Sequence, residues 1–298
     1  MALPKFECLS ASHLDEALLW LNQYGEEAKI AGGTTVLLTM LDQRVLLPSC
    51  VISLSQLDSL RYIVTDADCL KIGALTSHRA IETSEALQGS PLGIIAQMER
   101  DVGSVQLRNR GTIGGNLAYA DPFCDPPCVL TALDATIVLR SVSGERSVSI
   151  HDFYKDYYET ELQPTEVITE IRVPVLPETA RGYYYKFTVR QGMDKPYIGV
   201  AVVVTPGTGG DGVSIEDISI AIGAVSTGPA RAREAEGVLR GQEVTSELID
   251  EASHVAARGM EPLPDLRCGE SYKKRVLPVI VRRAISKALE NVGGVKEG

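Results

Sequence analysis

The chain has 298 residues, of which 44% are hydrophobic and 23% are charged, so it can bury a sizeable core in two or three packed units. A net charge of −10 argues against a nucleic-acid-binding surface, which needs a basic stripe. No segment approaches the roughly twenty apolar residues of a membrane span, and the N-terminus lacks a signal-peptide pattern, so we expect a soluble cytoplasmic protein.

The first predicted unit, at about residues 1–56, is a small βαβ unit. Ser12 is expected to cap the first helix and Gly25 to end it. A strand, a helix and a second strand follow at residues 28–31, 36–41 and 51–54. This strand–loop–helix order directs a helix N-terminus at whatever the loop binds, and the helix dipole there favours an anion.

A larger mixed unit is predicted at about residues 57–176. It comprises a hairpin at 61–65 and 70–74, helices near 77–87, 92–102 and 127–133, and strands at 135–140 and 167–173. Pro174 and Pro177 mark its end. The remaining elements, strands at 182–190, 198–205 and 213–224 followed by helices at 230–239, 246–258 and 272–289, predict an α+β unit.

Two Gly-Gly pairs lie about eighty residues apart, in the first glycine segment (residues 30–35) and the second glycine segment (residues 112–116). Each pair removes two Cβ atoms, so bare backbone N–H groups can approach a phosphate, and neighbouring threonine hydroxyls can add donors. Either pair alone is explained equally well by a tight turn. Two such loops converging from distant parts of the chain predict a clamp on the diphosphate of a dinucleotide.

A third glycine-rich stretch, at residues 207–212, matches the pattern G-x-G-x-x-G. A strand follows it where a nucleotide-binding fingerprint requires a helix. We therefore expect a hairpin turn there rather than a binding loop.

The sequence predicts neither a catalytic residue nor a metal site. The six cysteines contain no C-x-x-C pair, and the four histidines have no metal-ligand spacing. No acid–base pair suited to a substrate is evident. Any iron–sulfur cluster that works with this chain would therefore lie on another polypeptide.

Several runs of the sequence resemble the FAD-binding (medium) subunit of molybdenum hydroxylases, the family of xanthine dehydrogenase and aerobic carbon monoxide dehydrogenase. The resemblance is carried by AGGT at 31–34, IGALT at 72–76 and RNRGTIGGNL at 108–117. It continues through 120–126, 166–174, 185–190 and 198–201, whereas residues 192–196 depart from the commoner family pattern. It implies an α+β chain with a two-subdomain FAD-binding fold of the PCMH/VAO type at 1–176. A C-terminal α+β domain at 177–298 would follow, with an antiparallel sheet packed by helices.

The resemblance also implies which residues contact the FAD. Those of the two glycine segments and their neighbours are Ile30, Ala31, Gly32, Gly33, Thr34, Thr35, Ala74, Thr76, Thr112, Ile113, Gly114, Gly115, Asn116 and Ile168. Asp125 is expected near the ribityl or ribose hydroxyls, Lys186 near the flavin ring, and Tyr197 over the ring. The alternatives are a helix cap for Asp125 and a surface lysine for Lys186.

The function implied is that of an oxidoreductase subunit that carries electrons. FAD would take electrons from a small subunit with two iron–sulfur clusters, in a hetero-oligomer whose large subunit holds the molybdenum cofactor, and pass them to NAD, quinone or oxygen. Two alternatives remain open: a self-contained MurB-like flavin reductase, and a flavin-free assembly subunit.

Overall fold

A computed structural model of the chain describes residues 3–190, 194–207, 214–263 and 268–293. Helices are combined with a parallel three-stranded sheet, antiparallel sheets of five and four strands, and a two-stranded ribbon. The predicted α+β class is confirmed. Within the described ranges, no helix has both the length and the apolar character needed to cross a membrane.

The first unit is the predicted βαβ arrangement, with parallel strands in the order β1-β3-β2. Its elements are β1 (Glu7–Ser10), α1 (Leu14–Tyr24), β2 (Ala28–Ala31), α2 (Thr35–Asp42) and β3 (Cys50–Ser53). The prediction of Ser12 as the cap of α1 is wrong by one residue. His13 Nδ1 accepts from the N–H of Glu16 at 3.2 Å, while Ser12 donates to the Glu16 carboxylate. The predicted end of α1 at Gly25 is confirmed.

The second unit is built on an antiparallel sheet in the order β4-β5-β10-β6-β7. Its elements are β4 (Ile63–Thr65), β5 (Cys69–Gly73), α3 (His78–Glu82), α4 (Gly93–Glu99), α5 (Val105–Arg110), α6 (Ile113–Tyr119), α7 (Pro126–Ala132), β6 (Thr136–Ser141), β7 (Gly144–Ser149), α8 (Ile150–Phe153), β8 (Tyr154–Asp156), β9 (Glu159–Thr160) and β10 (Val167–Pro174). The β4–β5 hairpin confirms the prediction.

Three short helices of this unit, α5, α6 and α8, were not predicted from the sequence. The second glycine segment was expected to be a loop, but it forms the first turn of α6. Thr112 caps this turn, because its hydroxyl oxygen accepts from the N–H of Gly115 at 3.2 Å. The helix predicted at 77–87 is also shorter than expected and ends at Glu82, where the Thr83 hydroxyl bonds back to the carbonyl of Arg79.

The third unit contains the predicted meander, an antiparallel sheet in the order β11-β12-β13-β14 with helices after it. Its elements are β11 (Arg181–Phe187), β12 (Ile198–Pro206), β13 (Ile215–Gly223), β14 (Ala230–Arg231), α9 (Arg233–Leu239), α10 (Ser246–Arg258) and α11 (Glu270–Asn291). The turn expected at 207–212 lies, apart from Gly207, outside the described residues.

The four-stranded sheet is buried on both faces. On one face Tyr184, Val203 and Ala221 join the core of the second unit, and on the other Val202 and Ile220 pack with α9, α10 and α11. This position explains why β12 is a continuous apolar run, because a strand covered on both faces has no solvent-exposed side that would carry polar residues. The second and third units therefore share a core.

Candidate functional site

The first glycine segment joins β2 to α2 and carries backbone donors that the protein does not use. Outside the helices and strands, no described hydrogen bond has the N–H of Gly32, Gly33 or Thr34 as its donor. Thr34 has a φ of 62°, a left-handed conformation that is uncommon for threonine. Three successive unpaired N–H groups in a glycine-rich turn form a place that can accept an anion.

The two glycine segments lie against each other. A Cβ placed on Gly33 would lie 2.1 Å from the carbonyl oxygen of Arg110, and one on Gly32 would lie 3.3 Å from the hydroxyl oxygen of Thr112. The Arg110 side chain also reaches across, with Nη2 donating to the hydroxyl of Thr34 at 3.3 Å. Residues far apart in the chain are thus brought to one place.

In the second glycine segment, three backbone donors are already paired. The N–H groups of Ile113 and Gly114 donate to the carbonyls of Thr76 and Ala74, at 3.1 and 2.9 Å, and that of Gly115 donates to Thr112. The expectation of bare N–H groups at these positions is therefore wrong. Gly114 is needed for close packing instead, because a Cβ there would lie 2.7 Å from that of Ala74.

The predicted site residues in the five-stranded sheet and just after its strand β5 support the second glycine segment. Ala74 receives the N–H of Gly114 and donates its own N–H to the carbonyl of Thr169, next to the buried Ile168. The Thr76 hydroxyl exchanges two hydrogen bonds with the backbone of Tyr62. Because these backbone and hydroxyl groups are paired within the protein, Ala74 and Thr76 shape the site rather than offer donors to it.

Asn116 carries the one buried side-chain oxygen without a hydrogen-bond partner among the predicted site residues that the structure describes. Its Oδ1 is buried and has no hydrogen-bond partner. Cys124 lies close to it, and burial raises the pKa of the Cys124 thiol well above its usual range, with Asp121 adding to the effect. The buried amide oxygen of Asn116 is an acceptor that a ligand hydroxyl can use.

Asp125 and Lys186 form a buried ion pair between α7 and β11. Lys186 Nζ lies 2.9 Å from Asp125 Oδ2 and donates to the carbonyl of Asp101 at 2.7 Å, and both side chains are less than 10% exposed. Burial raises the pKa of the Asp125 carboxyl to about 6, against the opposing effect of Lys186. The alternative of a surface lysine is wrong. Asp125 does occupy the N-cap position of α7, as the other alternative expected, but its side chain makes no capping hydrogen bond.

Two further side chains that the sequence analysis did not select hold this pair. The hydroxyl of Tyr184 donates to Asp125 Oδ1 at 2.7 Å, and the Gln97 side chain exchanges two hydrogen bonds with the backbone of Tyr184. The two-residue period of a strand could have indicated Tyr184, since it shares a face with Lys186. Gln97 gives no such signal, because it lies on a distant helix.

A cleft of about 630 Å³ opens beside the ion pair, between β11 and the α4–α5 stretch. Lys186, Tyr185 and Arg108 contribute to its wall. Tyr197 lies just before β12, with its N–H donating to the carbonyl of Phe187 at 2.9 Å and its ring 6.4 Å from the Phe187 ring. The role of Tyr197 over a flavin stays a prediction.

The residues present fit an FAD. The free N–H groups of residues 32–34 suit a diphosphate, and the side chains missing at Gly32 and Gly33 leave the backbone open to it. The unpaired Oδ1 of Asn116 can accept from a hydroxyl of the cofactor. Lys186, paired with the buried Asp125, places a cation in the wall of an open cleft.

Comparisons with known proteins agree with this geometry. Residues 4–176 match the FAD-binding domain in molybdopterin dehydrogenase, and residues 183–288 match the C-terminal domain of the CO dehydrogenase flavoprotein. The chain is 35% identical to the glyceraldehyde dehydrogenase medium chain of Sulfolobus acidocaldarius, over 95% of this chain and 98% of the relative. It is 33% identical to subunit alpha of the 6-hydroxypseudooxynicotine dehydrogenase complex of Paenarthrobacter nicotinovorans, over 100% and 99%.

A solved structure shows the same fold. A chain of the carbon monoxide dehydrogenase of Hydrogenophaga pseudoflava, in a form lacking the Mo-pyranopterin moiety, superimposes with a TM-score of 0.91. It is 33% identical, covering 98% of this chain and 99% of that one. Both family matches, the near-complete relatives and the shared fold lead to one conclusion: the chain belongs to the FAD-binding medium subunits of molybdopterin hydroxylases, an oxidoreductase family that includes carbon monoxide dehydrogenase and xanthine dehydrogenase.

Proposed function

We propose that this chain receives electrons from an iron–sulfur partner subunit and passes them, through its FAD, to an external acceptor. The observation that carries the proposal is the group of unpaired N–H donors at residues 32–34, where the two glycine segments touch. A bound FAD supplies the redox chemistry. The protein itself contributes binding, orientation and electrostatics.

In this proposal the ion pair sets the charge beside the flavin. Lys186 is positioned by Asp125 and by the Asp101 carbonyl. The Tyr184 hydroxyl holds the carboxylate, and Gln97 holds the backbone of Tyr184. A fixed ammonium group in a buried site stabilises nearby negative charge more strongly than it would in water. Asp125 retains lone pairs with which it can accept a ribityl hydroxyl.

The proposed partners are a large subunit with the molybdenum cofactor and a small subunit with two iron–sulfur clusters. Support comes from the relatives, whose names describe them as a medium chain or as a subunit of a complex. The acceptor, whether NAD, quinone or oxygen, would reach the flavin from the side that the partners leave open.

The test begins with the visible spectrum and the FAD affinity of the purified chain. Gly32→Val places a side chain among the free N–H groups, where the nearest atoms to its Cβ belong to the Leu75 side chain, at 3.2 Å, and the Thr112 hydroxyl, at 3.3 Å. Gly237→Val is the control, because Gly237 lies in α9 with open space around its Cα. We expect FAD binding by the wild type and the control, and its loss in Gly32→Val.

The outcomes separate the alternatives. Equal FAD binding by Gly32→Val and the wild type would contradict the assignment of the diphosphate to this segment. A wild type that stays colourless even when reconstituted with its partner subunits would favour the flavin-free assembly subunit. NADPH-dependent turnover by the isolated chain would favour the self-contained reductase.

A further inference from the structure

Arg110 contacts the first glycine segment and lies two residues before the second. It belongs to the run at 108–117 that carries the resemblance, but it was not among the residues expected to contact the FAD. Its main chain packs on the first segment, with the carbonyl oxygen at the position a Gly33 side chain would occupy. Its guanidinium reaches the same segment and donates to Thr34. In the chain it stands two residues before Thr112, the cap of α6.

The charge of Arg110 is not neutralised within the described part of the chain, where it forms no ion pair. Arg108, two residues earlier, contrasts with it: Arg108 is buried, pairs with Glu82 at 2.8 Å and donates to the carbonyls of Val102 and Gly103. Arg108 is therefore structural. Arg110 is exposed and uses one hydrogen bond of a guanidinium that carries five donors.

The surroundings of Arg110 consist of further donors. The N–H groups of residues 32–34 have no acceptor, and the Thr34 hydroxyl, which accepts from Arg110, still has a proton to donate. Donors and a positive charge without a counter-charge favour an anion with several oxygen atoms. A planar guanidinium fork matches the spacing of phosphate oxygens.

We propose that Arg110 binds the diphosphate of FAD and thereby secures the cofactor across both glycine segments. This inference rests on the proposed function and adds to it a charged binding residue beyond the backbone donors. The competing explanation is structural: a basic residue in the last turn of α5 would stabilise the helix C-terminus.

The experiment measures FAD affinity by quenching of flavin fluorescence for the wild type, Arg110→Ala, Arg110→Lys and Arg258→Ala. Arg258 is the matched control, an exposed arginine in the last turn of α10. Loss of a charged hydrogen bond to phosphate should weaken binding by roughly 10- to 100-fold in Arg110→Ala and by less in Arg110→Lys. Arg258→Ala should bind like the wild type.

Ligands that lack the diphosphate distinguish direct binding of the diphosphate by Arg110 from a structural role of this residue. We expect Arg110→Ala to weaken competition by ADP while leaving adenosine competition and riboflavin affinity unchanged. Added salt should reduce FAD affinity less steeply in this variant, because one charge contact is missing. Equal loss for FAD and riboflavin, accompanied by a lower Tm, would overturn the inference in favour of the structural role.

The test also distinguishes this inference from the proposed function. Absence of FAD binding by the wild type, both alone and reconstituted with its partner subunits, would reject both. Tight FAD binding by the wild type together with unchanged affinity in Arg110→Ala would reject only the role of Arg110. If Arg110→Ala does not fold, Arg110→Gln removes the charge while keeping a side chain that can donate to Thr34, and the same comparisons apply.

Discussion

At the scale of single residues, Asp125 shows how burial changes the protonation of a carboxyl. Its carboxyl lies in the protein interior, where charge is costly, and is offset by Lys186 and the Tyr184 hydroxyl. Burial outweighs these partners and raises its pKa to about 6. Such a group changes charge within the range in which many enzymes work.

The pH dependence of stability follows from that pKa. An unfolded Asp titrates near pH 4, so between about pH 4 and 6 the folded chain holds a proton that the unfolded chain has lost. The stability supplied by protonated Asp125 is therefore complete below pH 4 and declines as the pH rises through about 6, by up to about 3 kcal/mol.

Chemical denaturation of the FAD-free chain across this pH range measures the effect. The difference in free energy of unfolding between wild type and Asp125→Asn should change between about pH 4 and 6 and become constant above about pH 7. Groups that do not interact with Asp125 cancel in this difference. The buried His78 does not, because its pKa, which burial lowers and Glu99 raises, is raised further by Asp125. A difference that is the same at all pH values would show that Asp125 titrates normally.

At the scale of elements, the two glycine segments share a sequence pattern and differ in physical role. The first leaves three donors unpaired where β2 meets α2. The second is the start of a helix whose early donors are used by Ala74, Thr76 and Thr112. Gly114 allows α6 to approach the end of β5, so its substitution should affect folding before it affects FAD.

We expect Gly114→Ala to lower the free energy of unfolding by roughly 1–3 kcal/mol, because its methyl group would overlap that of Ala74. Gly237→Ala should instead raise it by about 0.5–1 kcal/mol, because Gly237 is exposed inside α9 with nothing near its Cα. Urea denaturation of both variants measures the contrast. Similar effects in the two would show that α6 can move away from Ala74.

At the scale of the whole molecule, the two parts of the chain that match family models pack together through a shared core, rather than being separated by a solvent-filled linker. One face of the four-stranded sheet packs against the second unit through Tyr184, Ala201, Val203 and Ala221. Arg231 adds an ion pair to Asp134 at 2.8 Å across the same contact. Separation would expose this apolar face to water.

We therefore expect residues 177–298, expressed alone, to bind a hydrophobic dye and to unfold without a sharp transition. Adding residues 1–176 should reduce dye binding, because the apolar face is covered again. Dye fluorescence and near-UV circular dichroism measure both states. A cooperative transition of the isolated fragment would show that the third unit has a sufficient core of its own. The division of the chain at residue 176 stays a prediction.

Much of the fold was predictable because the spacing of apolar residues and the turn residues in a segment indicate whether that segment forms a strand, a helix or a turn. The βαβ unit, the β4–β5 hairpin and the β11–β13 meander follow from residue periodicity and turn residues. Helices α5 and α6 were missed because they are short and the Gly-Gly pair in α6 lowers its helix propensity. The stabilising contacts of α6, to Ala74 and Thr76, come from a distant strand end.

The sequence by itself was enough to identify the family and its FAD cofactor, because the family motifs occur in the same order over nearly the whole chain. Only the tertiary structure decided which donors remain free, that Asp125 and Lys186 are paired, and that Arg110 lies between the two segments. The physical reason is that hydrogen-bond pairing and desolvation depend on neighbours from distant parts of the chain, and these neighbours are defined only once the sheets and helices have packed.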